Sequence, residues 1–300
     1  MNLQLLAVIT VDGLVYASYL FMVAVGLTVI FGVQKVLNVT HGAFYSFGAY
    51  LAAQMIGLYY GADWPAYGGF AIIVLSAVFL GVVFAFLIER GLLKYLYHRD
   101  EHIIVLATFA AFLMLEDIQI LIWGMNPYLA FQPMAELGTT DIADLTFDNY
   151  SLSMIALSFV IAAVLWYALK RTIWGKMLLA VIYDREVSQA MGINVTAVFL
   201  GTFMIGAFLG ALGGAYIAPT ISVQPGIGVE VIVLAFAVVV IGGMGSIPGA
   251  LIGSIIVGLS RAAAVHMLPE VELFVIYAIM ALVLAIRPQG LFAPVQARKI

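Results

Sequence analysis

The sequence predicts an all-α polytopic membrane protein with eight or nine transmembrane helices, one of them broken. Three observations carry this prediction. Hydrophobic residues fill 65% of the 300 positions and charged residues 9%, where a soluble domain carries roughly 25% charged residues. So few charges cannot cover a water-facing surface. Several apolar runs reach the ~17–25 residues that a helix needs to cross a bilayer. These runs are continuous rather than alternating, so a backbone that must satisfy its own hydrogen bonds in lipid does so as helices and not as a barrel. One transmembrane domain over residues 1–300 is expected.

The opening segment MNLQLLAVITVDG has no Lys or Arg ahead of its apolar run. That is unlike a signal peptide, and the first helix is read as a retained span over 14–33. Further spans follow at 41–60, 68–88, 103–123, 152–170, 196–217, 229–243, 250–266 and 271–287. Gly206, Gly210 and Gly214 make a small-residue stripe in the sixth, the pattern of close helix packing. The run 229–241 is short for a crossing, and a half-helix that turns back there leaves the count between eight and nine. Trp64, Tyr67, Trp123, Tyr128, Trp166, Tyr167 and Trp174 lie near span ends, as interfacial anchors do.

Charge supports the span order. Lys35; Arg90, Lys94 and Arg99; Lys170, Arg171, Lys176 and Arg185; and Arg287, Arg298 and Lys299 fall on alternate connections. Arg261 is the one basic residue elsewhere. The opposite connections hold Asp12, Asp63, Glu136, Asp141, Asp144, Asp148, Glu230, Glu270 and Glu272, with an acidic loop over 124–151. The positive-inside rule then puts the N-terminus outside and the C-terminus in the cytoplasm.

Three places invite function. The stretch GGMGSIPGA at 242–250 interrupts an apolar run. Non-helical backbone at membrane depth is tolerated where it is buried in protein or lines a cavity. Pro248 suits a first helical turn, and a helix restarting near Gly249 would aim its amide end, which favours anions, into the break. Gly242, Gly243, Gly245, Ser246 and Pro248 are therefore candidates for a translocation path. A tight packing turn, with Gly245, Gly249 and Gly253 as a close-packing face, fits equally well. Asn38, His41 and Gly42 stand at a helix entrance, where Asn38 or Thr40 can cap the helix and His41 is either interfacial or part of the path. Glu116 and Asp117 lie inside an apolar run, where ionisable residues suggest function by default. They would line the path, or anchor the fold by pairing with Arg261 or capping a kink.

The basic-side loop over 171–195 contains IWGKMLLAVIYDREVSQAMGINV. A surface helix over 178–192 is expected there, with Gly192 where a helix would stop. It is either an interfacial connector or a docking helix. Here YDREVSQAMGINV at 183–195 resembles the cytoplasmic coupling loop of the LivH-type permeases, the membrane subunits of ABC importers for branched-chain amino acids. LNVTHGAFYSFGAY at 37–50, LEDIQILIWG at 115–124, GGMGSIPGALIG at 242–253 and RPQGLF at 287–292 resemble that family in the same order along the chain. Two departures stand out: 175–184 has only Lys176 where the family usually carries several arginines, and Ser188 stands where Ala is frequent.

The resemblance implies an ABC importer permease fold, with Asp184, Arg185, Glu186, Ala190, Met191 and Gly192 docking an ATPase. It implies two cytoplasmic ATPase subunits, a second permease subunit, often a different chain, and an extracytoplasmic binding protein that meets the acidic loop. The expected substrate is a branched-chain or other apolar amino acid; urea and short amides are served by relatives.

Chemistry within the chain is not expected. There is no cysteine, which excludes thiolate metal sites and disulfides. There is no G-x-x-x-x-G-K-[ST] phosphate loop and no H-E-x-x-H, and the four histidines give no metal pattern. No cofactor is expected in this chain, and ATP and Mg would be bound by partner ATPase subunits. The rival reading is a self-sufficient ion-coupled transporter using Glu116 and Asp117.

Overall fold

A computed structural model describes residues 3–65, 67–142 and 145–292. Asp144, Arg298 and Lys299 of the charge pattern lie outside the described residues. The helices are α1 (Leu3–Gln34), α2 (His41–Gly61), α3 (Gly68–Leu96), α4 (Glu101–Trp123), α5 (Gln132–Leu137), α6 (Asn149–Arg171), α7 (Ile173–Tyr183), α8 (Arg185–Ala190), α9 (Val195–Ile217), α10 (Ile227–Gly242), α11 (Ile247–Met267) and α12 (Glu272–Ile286). Strands β1 (Thr139–Ile142) and β2 (Leu145–Asp148) form an antiparallel hairpin.

Seven of these helices (α1, α3, α4, α6, α9, α11 and the segment ending in α12) are long and apolar enough to cross a membrane. The other two expected spans fall short for different reasons. Helix α10 has 16 residues, about 24 Å at 1.5 Å per residue. Helix α2 has 21 residues but carries four Gly and four Tyr, and 13 of its residues are buried in protein. A helix surrounded by other helices does not need a lipid-soluble surface.

Helix α2 packs against α9, α3 and α10, and α1 packs against α11 and α9. The glycine stripe on α9 makes these approaches possible. A Cβ on Gly206 would strike Ile30 of α1, one on Gly210 would lie 2.9 Å from the His41 ring, and one on Gly214 would overlap the Tyr45 carbonyl. Helix α1 begins well before residue 14. Its early part is held where Gly13 meets α11, since a Cβ there would lie 2.9 Å from the Leu259 backbone.

Helix α3 runs on to Leu96 through a π-helical stretch, Ala85–Leu93. That stretch carries Glu89, which is buried and accepts a hydrogen bond from the Tyr97 hydroxyl at 3.4 Å. The described residues of the acidic loop 124–151 are tied into the bundle. Tyr128 and Val223 exchange backbone hydrogen bonds at 2.9 Å, which ties this loop to the segment after α9. Trp123 is not an interfacial anchor. It is buried, donates its indole N–H to Gln54 at 2.8 Å and packs on Phe47 and Tyr50.

Candidate functional site: an acid-lined vestibule and a helix pair at the opposite end

A cavity of about 740 Å³ opens at the acidic end of the helices. Tyr16 and Tyr19 of α1, Tyr45 of α2, Glu230 of α10, Arg261 of α11 and Glu272 of α12 line it, with Asp12 and Asp148 at its rim. The Arg261 guanidinium lies 3.9 Å from the Tyr16 ring centroid and forms an ion pair with Glu272. Tyr16 meets Tyr19 edge to face, with centroids 4.8 Å apart. His266 Nε2 hydrogen-bonds Asp12 at 2.8 Å, so α11 is tied to α1 twice. A cation over an aromatic face is held by the ring quadrupole, and the attraction grows as water is excluded.

At the basic end, the loop after α6 folds into two helices instead of the single one expected over 178–192. Thr172 caps α7 by accepting from the Gly175 N–H at 3.1 Å. Asp184 then takes extended backbone, which breaks the helix, and its carboxylate caps α8 by accepting from the Val187 N–H at 2.9 Å. Gly192, at φ +86°, closes α8 in the left-handed conformation that glycine adopts without a steric cost. The Ile193 N–H returns to the Ser188 carbonyl at 3.0 Å. Asn194 caps α9 through the Ala197 N–H at 3.0 Å.

Asp184, Arg185, Glu186, Ala190, Met191 and Gly192 are all exposed. So are Tyr183, Val187 and Met191, at 70%, 54% and 79%. Val187 and Met191 share one helix face at i, i+4 spacing, which makes an apolar knob among polar neighbours. Leu178, within the 175–184 stretch that departs from the family by its lack of arginines, points inward and packs with Val33, Val181, Val195, Val198 and Phe199. The other departure, Ser188, is also buried. Small size is what that position demands.

The remaining candidates do not gather into one site. The stretch 242–250 is a hairpin between α10 and α11. A Cβ on Gly242 would overlap the Gly249 carbonyl, and one on Gly249 would overlap that of Gly242. Gly243 and Gly245, at φ +104° and +83°, make the turn. Helix α11 restarts at Ile247, with Pro248 in its first turn and its amide end capped by Ser246, which accepts from the Gly249 N–H at 3.1 Å. The amide end expected to face an open break is thus met by its own cap. The C-terminal stretch returns to this hairpin, where the Leu291 and Phe292 N–H groups donate to the Ile241 and Gly242 carbonyls at 2.9 Å. Gly245, Ser246 and Pro248 border a separate apolar cleft of about 280 Å³ shared with Gly32, Trp174 and Leu178.

His41 is fully buried and not interfacial; its Nε2 hydrogen-bonds the Val23 carbonyl at 2.9 Å. Neither Asn38 nor Thr40 caps α2. Asn38 instead accepts from the Thr40 N–H at 3.1 Å. Gly42 serves the α2–α10 crossing, where a Cβ would lie 2.7 Å from the Gly228 carbonyl. Glu116 is half-buried and Asp117 exposed on α4, and neither lines the vestibule. The pairing with Arg261 does not occur; Arg261 pairs with Glu272 instead. No kink is capped either: α4 is one uninterrupted helix. The vestibule tyrosines were not singled out in the sequence, and Glu230 and Glu272 were noted there only as part of the acidic side. The signal pointing to them was Arg261, the lone base away from the basic end.

The model of the family described as "Branched-chain amino acid transport system / permease component" matches residues 9–284. The high-affinity branched-chain amino acid transport system permease protein LivH of Escherichia coli strain K12 is 27% identical over 308 residues, covering 96% of each chain. The corresponding permease protein BraD of Pseudomonas aeruginosa is 26% identical over 303 residues, covering 97% of this chain and 96% of its own. A solved structure of PsaBC from Streptococcus pneumoniae with Fab aligns at a TM-score of 0.46 and 14% identity, over 94% of this chain and 91% of that one. The chain thus belongs to the branched-chain amino acid transport permease family, the multi-pass membrane subunits of ABC importers.

Proposed function

We propose that this chain passes a branched-chain or other apolar amino acid across the inner membrane by alternating access, driven by ATP hydrolysis in separate subunits. The observation that carries the reading is the α7–α8 pair. It is capped at each end, lies at the basic end away from the vestibule, and presents Tyr183, Val187 and Met191 to solvent. An exposed apolar group set among charges fits a docking contact. In this reading the basic end is cytoplasmic and the N-terminus outside. Two ATPase subunits bind ATP and Mg and receive α8 through Asp184, Arg185, Glu186, Ala190, Met191 and Gly192. A second permease subunit completes the membrane pair, and an extracytoplasmic binding protein delivers the solute to the 124–151 side.

The chain's own geometry supports a mechanical link. Helix α7 packs through Leu178 and Val181 on Val33 of α1 and Phe199 of α9. Helix α1 continues without a break to Tyr19 and Tyr16, about 25 Å away at 1.5 Å per residue. Pressure on α8 therefore reaches the vestibule wall through one rod. The test is purification of the tagged chain from its native membrane in mild detergent, with and without Met191→Asp and Val187→Asp. ATPase and second permease subunits should copurify with the native chain, and the double variant should lose the ATPases. A chain that runs alone under conditions keeping other importers intact sinks the assembly.

A further inference from the structure

Resting on that transport reading, we propose that Arg261 anchors the carboxylate of a zwitterionic amino acid in the vestibule, and that Glu272 is its intramolecular stand-in. Four carboxylates (Asp12, Asp148, Glu230 and Glu272) line the described vestibule, against the single guanidinium of Arg261. The cavity thus repels anions and offers a carboxylate one place to go. Glu272 occupies that place in this conformation. The Arg261 Nε–H is nonetheless buried with no hydrogen-bond partner among the described residues, so the planar fork is only partly used. A guanidinium presents parallel N–H donors that match a carboxylate with two bonds at once, and a second donor left idle marks the geometry a better-placed carboxylate would complete.

The Tyr16 face at 3.9 Å holds the guanidinium plane in position. The pair is reachable, since each side chain keeps 29% of its surface exposed. An entering amino acid exchanges its own carboxylate for that of Glu272. Its ammonium then meets the carboxylates left over, Glu230 foremost, while Val231 and Leu234 of the lining face its apolar side chain. No covalent step is involved. The class of solute is a neutral α-amino acid; one with an acidic side chain adds a charge the vestibule repels.

The test uses the assembled importer in proteoliposomes with its binding protein, and the readout is labelled leucine carried per ATP hydrolysed. Arg261→Gln should lower this ratio at least tenfold. A role limited to holding α11 to α12 would instead lower uptake and hydrolysis together and leave the ratio unchanged, which overturns the proposal. The exchange Arg261→Glu with Glu272→Arg keeps an ion pair but moves the guanidinium. The ratio should stay low, and its return to the native value overturns the anchor. If Arg261→Gln does not assemble, Arg261→Lys decides the matter: it keeps the charge but loses the fork, so at least a threefold drop supports the anchor and a native ratio refutes it. A native complex that hydrolyses ATP but carries neither leucine nor any other apolar amino acid refutes the amino-acid reading itself, and the anchor with it. That outcome is told apart because it appears before any substitution is made.

Discussion

Asp184 ends one helix and starts the next. Its carboxylate satisfies an amide at the first turn of α8, and replacing an N-cap by Ala costs about 1 kcal/mol. Asp184→Ala is therefore expected to fray α8, read as faster amide hydrogen exchange at 187–190 and weaker ATPase copurification. Asp184→Asn keeps the acceptor oxygen and should behave as the native chain. Gly210 makes a different kind of demand. A Cβ there would lie 2.9 Å from the buried His41 ring, and overpacking of that sort costs about 1–3 kcal/mol. Gly210→Leu should lower the yield of folded chain in detergent, measured by monodisperse elution. At this scale the sequence was legible where a residue broke its surroundings: Gly192 as a helix stop and Arg261 as a stray base. Tyr16, Tyr45 and Glu230 were not legible, because their meaning lies in a juxtaposition of three different helices.

At the level of elements, the apolar runs located the lipid-facing helices and also α2 at 41–60, but not that the surroundings of α2 are the rest of the protein. The 242–250 stretch was ambiguous for a related reason. Glycines at i, i+4 spacing serve a cavity or a close crossing equally well, and only the facing helix decides. Here the facing surface is the chain's own: Gly242 and Gly249 lie backbone to backbone. Gly242→Val should therefore open the α10–α11 hairpin and release the 291–292 backbone bonds that end on it, seen as protease cleavage near residue 290. The β1–β2 hairpin escaped the sequence reading because TTDI and LTFD are too short and polar to look like strands.

For the whole molecule, the two ends carry opposite charge, and the topology proposed from it can be tested directly. The chain has no cysteine, so single cysteines report their side of the membrane without background. Thr146→Cys should react with an impermeant maleimide added outside intact cells, and Glu186→Cys only after permeabilisation. The reverse pattern would invert the topology. Order along the chain was legible because charge and apolar length alternate together. The vestibule was not, since it exists only once α1, α10, α11 and α12 converge.

The π-helical stretch Ala85–Leu93 bears on how such a bundle moves. A ring closed by an i→i+5 bond holds one residue more than an α-helical ring, so the stretch is slack wound into a helix. Taking up one residue of that slack turns everything beyond it by about 100°, with no bond of the chain broken. The Glu89–Tyr97 bond lies at the basic end of this slack, and Tyr97 rests against Phe199, over which Arg185 of α8 is stacked. Helix α3 is in this sense a spindle with a ratchet tooth in reserve, and the tooth sits one aromatic contact away from the surface proposed for the ATPase.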